Sequence, residues 1–217
     1  MLTIGEEWLV LALDESSGKF KAPIGPGPSP FLQAAEEMEL IILRCQRLEG
    51  GGGNVEAQVR SILPAADDAL VRAATGFVEA PEWSVQLPWP RPDSEASVLA
   101  RLVESGVLRT EDRKRLGHTS HRHALAAPAV KAAIISRLSD LGAGGTPDAR
   151  SVALDALVRI ELVLEDALVS GGSRNVSIFA FDLPVEPGAG PIGEEAASAL
   201  NETLDGIGES CGFDIGT

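Results

Sequence analysis

The sequence predicts an all-α protein, a multi-helix globular domain around a long buried central helix, with a short β-hairpin and an irregular acidic C-terminal tail. Apolar residues recur at helical spacing between breaks rich in Gly and Pro. The segment Asp148–Val169 is apolar on most of its circumference and confines its charges to a thin stripe, which is typical of a buried helix. Residues 171–217 contain eight acids and one base, so we assign residues 1–170 to the helical domain and 171–217 to an acidic extension.

The N-terminal segment contains the clearest helix start. Thr3 and Glu6 have the spacing of a capping box, in which each side chain satisfies the other residue's backbone N–H. The apolar run Trp8–Leu13 follows, and it is apolar nearly all round, so this helix is predicted to be buried with Trp8 in the core.

The next segments combine a second helix with a hairpin. Ser29–Pro30 provides suitable N-cap and first-turn residues for a helix that runs to about Leu48. The run Gly50–Gly53 breaks the chain. We expect Val55–Ile62 to be extended and to pair back on Cys45–Glu49 as a short β-hairpin.

Four further helices are predicted before the long one. Helical periodicity covers residues 66–77, and a second pattern covers Asp93–Ser105, with Gly106 ending it in the left-handed conformation. A short helix is expected over Thr110–Arg115. Another is expected over Pro128–Gly142.

Composition limits the functional classes. The 217 residues have a net charge of −14, no Tyr and 4% aromatic residues, which disfavours nucleic acid as a partner. Two cysteines far apart favour a reducing cytosol over a disulfide framework. No apolar run approaches the roughly 20 residues of a membrane span, and no signal peptide is evident. We therefore expect a cytoplasmic protein that meets a membrane only at its surface.

One segment opposes the overall charge. Residues 101–137 contain eight Lys or Arg against three acids, so this stretch is the predicted face for an anionic partner. The anion or lipid-binding candidates are Arg91, Arg101, Arg113, Lys114, Arg115 and Arg122. Trp83 and Trp89 flank a proline-rich loop and are candidates for insertion at a membrane interface.

No motif predicts catalysis, a metal or a cofactor. His118, His121 and His123 form H-x-x-H-x-H without an adjacent acid or Cys, and a solvated loop is favoured over a metal site. The G-x-G-x-x-G run at 188–193 lacks a preceding strand and sufficient chain after it for a dinucleotide-binding unit. Glu36, Glu37 and Glu39 are expected on solvated helix faces.

Several segments resemble one family, in order along the chain. These are LTIGEEWLVLALDESSGK at 2–19, ILRCQRL at 42–48, LARLVESGVLRTEDRKRLG at 99–117, and the helices APAVKAAIISRLSDL and DARSVALDALVRIELVLEDAL. Together, over about residues 2–168, they resemble the Golgi phosphoprotein 3 family, and the Ala/Leu/Arg-rich style is similar to its bacterial, actinobacterial-type members.

The resemblance implies an all-helical, non-enzymatic peripheral membrane adaptor. It implies binding of phosphatidylinositol 4-phosphate or another anionic lipid, contact with cytoplasmic tails of glycosyltransferases, and self-association through a hairpin. The partners expected on this basis are anionic membrane lipid or a protein.

The chain departs from the family at the headgroup pocket. The family uses a Trp in the loop after the first helix, and residues 20–30 contain none. An Arg near the start of the second helix corresponds to about Ala35, and a pair of Arg corresponds to about Pro92 and Glu95. We therefore predict that the headgroup-pocket residues are not retained.

A second function class is compatible with the basic segment. A helix, the turn G-V-L-R and a following basic stretch resemble the recognition helix and wing of a winged-helix DNA-binding regulator. The net charge of −14 weakens this alternative, because affinity for duplex DNA depends on neutralising phosphates.

Overall fold

The predicted fold class is confirmed. A computed structural model of the chain describes residues 1–20, 29–80, 94–115, 118–142, 148–169, 198–203 and 206–207. These residues are mostly helical, with two small antiparallel strand pairs. Several predicted features lie outside them, namely Trp83, Trp89, Arg91, most of the loop after the first helix and the G-x-G-x-x-G run.

Seven named helices and four short strands follow one another along the described chain. They are α1 Ile4–Ala12, β1 Leu13–Asp14, β2 Lys19–Phe20, α2 Ser29–Leu48, α3 Val55–Ile62, α4 Asp68–Glu79, α5 Glu95–Glu104, β3 Leu108–Arg115, β4 His118–Leu125, α6 Pro128–Gly142 and α7 Ala149–Val169. Strand β1 pairs with β2 and β3 pairs with β4, both antiparallel.

Helix α1 lies at the centre of the fold. Its capping box is confirmed, since the Glu6 N–H donates to Thr3 Oγ1 at 3.2 Å and the Thr3 N–H donates to Glu6 Oε2 at 2.7 Å. Every residue of α1 except Leu11 is buried. Trp8 is fully buried as predicted, and its ring stacks on that of Phe31 with centroids 4.9 Å apart.

Helix α7 contributes one long buried face to this centre. It contacts α1, α2 and α6, and it buries Leu154, Leu157 and Ile160. Arg159 and Leu162 are exposed, so the helix is buried on one side along its described length.

The hairpin predicted at Val55–Ile62 is wrong, because this segment is helix α3. Asn54 caps it, with Asn54 Oδ1 accepting from the Ala57 N–H at 3.0 Å. The buried residues Val55, Val59 and Ile62 have helical spacing. The intended partner, Cys45–Glu49, lies in the end of α2 and the turn after it.

The hairpin lies instead where a short helix was predicted over Thr110–Arg115. Gly106 ends α5 as expected, with φ of 73°. The Val107 N–H donates to the Leu102 carbonyl at 3.0 Å, which closes the helix end in a Schellman motif. The chain then enters β3, because pairing along all of β4 outweighs the local helical signal.

The C-terminal extension contributes to the same core. Leu200 and Ile207 are 1% and 2% exposed and belong to the cluster of buried apolar residues around α1. These parts of the extension therefore pack against the helical domain.

The turn between β1 and β2 lies against the outer edge of β4. Gly18 has φ of 66°, and its carbonyl accepts from the His123 N–H at 3.2 Å. A Cβ at this position would lie 2.7 Å from the His123 carbonyl oxygen. Gly18 therefore meets two requirements that only glycine satisfies, a left-handed backbone and a close backbone approach.

Replacing Gly18 with Ala is expected to destabilise the fold by more than the left-handed backbone alone costs. That cost is about 1–2 kcal/mol for a residue with a Cβ. Gly106→Ala is the matched control, since Gly106 has φ of 73° and open space around its Cβ position. Urea unfolding of both variants should show the larger loss for Gly18→Ala, and equal losses would contradict the close contact with β4.

Candidate functional site

The basic residues of segment 101–137 separate into two groups. One group, Arg101, Lys131 and Arg137, binds groups of the N-terminal region. Lys131 Nζ donates to the Leu13 carbonyl at 3.1 Å and lies 3.2 Å from a carboxylate oxygen of Glu15. The other group lies on the β3–β4 hairpin.

Arg101 and Arg137 bind adjacent buried carboxylates at the start of α1. Arg101 Nε donates to Glu6 Oε1 at 2.9 Å, and Arg101 also donates to the Ser61 carbonyl. Arg137 donates to both oxygens of Glu7, at 3.2 and 2.5 Å. These two arginines therefore hold α5 and α6 against α1. The β3–β4 hairpin connects those two helices, so both of its ends are attached to helices that are held in place.

A third buried pair joins α7 to α2. Arg150 Nη1 donates to both oxygens of Glu39, with the first distance 2.6 Å, and the Ile4 N–H donates to Glu39 Oε1 at 2.7 Å. The expectation that Glu36 and Glu39 lie on solvated faces is wrong, since they are 8% and 6% exposed. Burial raises the pKa of Glu39, and Arg150 opposes that rise.

The hairpin register divides its residues between two faces. Leu108 pairs with Leu125, Glu111 with Arg122, and Arg115 with His118. Because successive residues of a strand alternate between faces, positions 109, 111, 113 and 115 fall on the same face as 118, 120, 122 and 124. We call this set of positions the arginine face.

The described part of the arginine face is a triad of charged side chains around Glu111. Arg109 Nε donates to Glu111 Oε1 at 2.9 Å, and Arg122 Nε donates to Glu111 Oε2 at 2.8 Å across the strands. Arg122 and then Arg109 lower the pKa of Glu111. One carboxylate is thus shared by two guanidinium groups, and the triad keeps a net positive charge.

The opposite face of the hairpin begins as an extension of the core. Leu108 is 1% exposed, and Leu125 packs against the buried cluster. The His123 ring lies 6.0 Å from the Phe20 ring in a tilted arrangement. This face is therefore anchored at its base by apolar contacts.

Net charge is confined to one of the two faces. The arginine face holds four arginines, at positions 109, 113, 115 and 122, against the single acid Glu111. The opposite face holds Asp112 and Lys114, which cancel. The strand register therefore assigns the net positive charge of the hairpin to positions of the arginine face.

The predicted anion-binding residues that the structure describes lie on three different elements. Arg113, Lys114 and Arg115 lie along β3, Arg122 lies on β4, and Arg101 lies on α5 in its ion pair with Glu6. Sequence reasoning left Arg109 out of the candidates, although Arg109, Arg113 and Arg115 occur at even spacing. That period of two would have indicated a shared strand face.

The H-x-x-H-x-H run lies on strand β4 and not in the predicted loop, and the strand register places its histidines on two faces. Position 118 lies on the arginine face, whereas 121 and 123 lie on the opposite face. Among the side chains that the structure describes, no group of three His, Cys, Asp or Glu is arranged to hold a metal ion.

A small cavity of about 10 Å³, with room for about one water molecule, opens beside the start of α1 and the first half of α2. Its described lining includes Ala35 and the carboxylates of Glu36 and Glu39. The described lining contains no Lys or Arg; it is Thr3, Gly5, Leu32, Ala35, Glu36, Glu39, Ile62 and Val98. Two carboxylates in this lining disfavour a phosphate group.

Acidification is expected to weaken the anchoring of the hairpin through His123. Burial lowers the pKa of His123 below its ordinary value of 6.5. The unfolded chain therefore binds the proton first as pH falls, so stability decreases below about pH 6.5 and levels off below the folded pKa. Thermal unfolding at neutral pH and at about pH 5.5 should show a larger loss for the parent chain than for His123→Leu. Identical losses would contradict a contribution from this ring.

The fold is mostly helical, and the register of its β3–β4 hairpin assigns four arginine positions to one face. None of the helices within the described ranges has both the length and the apolar character to span a bilayer. The sequence matches the family Golgi phosphoprotein 3 (GPP34) over residues 4–197, and the chain belongs to this family. No curated protein and no solved structure shows a significant match.

Proposed function

We propose that this chain is a non-enzymatic peripheral adaptor that meets an anionic lipid surface through its basic hairpin. The main support for this proposal is the strand register, which assigns the hairpin's net positive charge to positions of the arginine face. Family membership supports lipid or protein interactions in general. An acidic protein of net charge −14 needs such a local concentration of cations to approach an anionic membrane.

The proposal includes loss of the family's headgroup pocket. The cavity at Ala35 is lined by Glu36 and Glu39 in its described part, and Glu39 is occupied by Arg150. A phosphorylated headgroup would meet carboxylates there. An open surface that attracts lipid phosphates by charge density does not need that cavity.

The DNA-binding alternative has less support. In a winged-helix protein a recognition helix presents side chains to the major groove. Helix α5, which precedes the hairpin, buries Val98 and Leu102 and engages Arg101 with Glu6. Within segment 101–137, the cations left for a phosphate backbone are then those of the hairpin, in a chain with a net charge of −14.

Co-sedimentation with vesicles tests the proposed function. Phosphatidylcholine vesicles are compared with vesicles that also contain phosphatidylserine, over a series of salt concentrations. A basic residue near an anionic leaflet contributes about 1 kcal/mol, so the net three charges of the arginine face predict a preference on the order of a hundredfold at low salt. Salt should weaken it. Equal binding to both vesicles, or tighter binding to duplex DNA than to phosphatidylserine vesicles, would contradict the proposal.

A further inference from the structure

We infer that the hairpin docks on anionic membranes in one orientation, with the arginine face toward the lipid and the opposite face away from it. This inference rests on the proposed function and adds the contact residues and the orientation. It assigns lipid contact to Arg109, Arg113, Arg115 and Arg122. It assigns no direct lipid contact to Lys114, which lies in the same basic run of the sequence.

The base of the hairpin is anchored to the helical part of the fold. The Ala126 and Ala127 N–H groups both donate to the Val107 carbonyl, at 2.9 and 3.2 Å, and close the hairpin over the end of α5. The buried Leu108 ties the start of β3 to the core. The two faces are therefore presented in a fixed orientation relative to the helices.

The arginine face is accessible to solvent at its described end. The Arg109 side chain is 60% exposed, and Arg122 and Glu111 are 29% and 28% exposed. The Gly18 turn lies beside Arg122, since a Cβ at Gly18 would lie 3.0 Å from Arg122 Cδ. Cations at this end are thus available at the surface while being oriented by Glu111.

The two faces of the hairpin are separated by more than the range over which salt leaves charges unscreened. Charges on opposite faces of a two-stranded ribbon are separated by about 10 Å, and the Debye length at physiological salt is about 8 Å. A charge on the opposite face therefore contributes much less to attraction by a lipid surface than a charge on the arginine face. The face to which a residue is assigned, and not the net charge of the protein, should therefore decide how much a substitution changes lipid binding.

Adjacent residues of β3 provide a matched test. Arg113→Glu and Lys114→Glu change the net charge equally, but their positions fall on opposite faces. At physiological salt, Arg113→Glu should lower partitioning to phosphatidylserine vesicles by about tenfold or more, and Lys114→Glu by about threefold or less. Thermal unfolding of both variants verifies that the fold is retained.

A gain of binding gives a second test that misfolding cannot imitate. Glu111 is the single acid of the arginine face and neutralises part of Arg109 and Arg122. Glu111→Gln should raise partitioning to phosphatidylserine vesicles by about fivefold. Asp112→Asn removes the same charge from the opposite face and should change it by less than about twofold.

The outcomes separate this inference from the proposed function. Equal losses in Arg113→Glu and Lys114→Glu would overturn the orientation while leaving attraction by net charge intact. An unchanged affinity in both, with the parent chain still bound, would overturn the hairpin as the contact. A parent chain that ignores anionic vesicles would overturn the proposed function itself.

Discussion

Replacing Arg150 with Met is expected to destabilise the protein by about 3–5 kcal/mol, because it leaves a buried carboxylate without its cation. The Arg150 and Glu39 side chains are 16% and 8% exposed, and the guanidinium also donates to the Leu2 carbonyl. The pair therefore joins α7 to α2 and to the residue before the Thr3 cap. Urea unfolding measures the loss.

The same helix offers a control for the loss of an arginine. Arg159 pairs with Asp155 one turn away, but its side chain is 59% exposed. Arg159→Met should change stability by less than about 1 kcal/mol, as exposed pairs generally do. Similar losses in Arg150→Met and Arg159→Met would contradict a structural role for the buried pair.

The pH dependence identifies the mechanism of the Arg150→Met loss. Burial raises the pKa of Glu39 above 4.5, and removal of Arg150 should raise it further. A raised folded pKa means that the ionised form opposes folding, so this penalty grows as pH rises from below 4.5 through the folded pKa. Arg150→Met should accordingly be less damaging in mild acid than at neutral pH. Adding Glu39→Gln should recover much of the lost stability at neutral pH.

Replacing Trp8 with Ala is expected to cost about 3–5 kcal/mol through loss of buried surface and formation of a cavity. Trp8 is fully buried, stacks on Phe31 with an interplanar angle of 5°, and donates from Nε1 to Glu161 Oε2 at 3.1 Å. The ring therefore connects α1 to α2 and α7. Native stabilities are only about 5–15 kcal/mol, so this single change removes a large fraction.

A graded series keeps the Trp8 prediction testable when Trp8→Ala fails to fold. Trp8→Phe preserves an aromatic stack and removes the hydrogen bond, so it should cost about 1–3 kcal/mol. Thermal and urea unfolding should rank the parent above Trp8→Phe and Trp8→Phe above Trp8→Ala. An Ala variant as stable as the Phe variant would show that the ring does not hold the three helices together.

Local signals predicted the helices well where capping and spacing decide them. The Thr3 capping box, the start of α2 at Ser29 and the end of α5 at Gly106 depend on residues within one turn, so a sequence displays them. The misplaced hairpin has a local explanation too: Asn54 caps α3, and an Asn directly before Val55–Ile62 is itself a signal for the start of a helix.

Long-range pairing explains what the sequence could not show. The segment Thr110–Arg115 is a strand because β4 pairs with it, and Glu39 is buried because Arg150 lies opposite it, 111 residues away in the chain. Neither partner is indicated by spacing. The amino-acid composition reveals that segment 101–137 is basic. Only the fold shows which of its cations bind the N-terminal region and which lie on the β3–β4 hairpin.

The candidate surface was therefore predicted in part. Arg113, Arg115 and Arg122 were identified as cations that could meet an anion, whereas Arg109 was missed and Lys114 was not distinguished from its neighbours. Strand register supplies that distinction, since it assigns each position of β3 to one of two faces.

We propose that this chain recognises anionic lipid through the arginine face of its hairpin instead of through a headgroup pocket. Co-sedimentation of the parent chain with two sets of vesicles, matched in surface charge and containing either phosphatidylinositol 4-phosphate or phosphatidylserine, tests it most directly. We expect equal, salt-sensitive partitioning to both sets of vesicles, and an equal decrease on both for Arg113→Glu. Binding confined to the phosphatidylinositol 4-phosphate vesicles, and retained in Arg113→Glu, would contradict it.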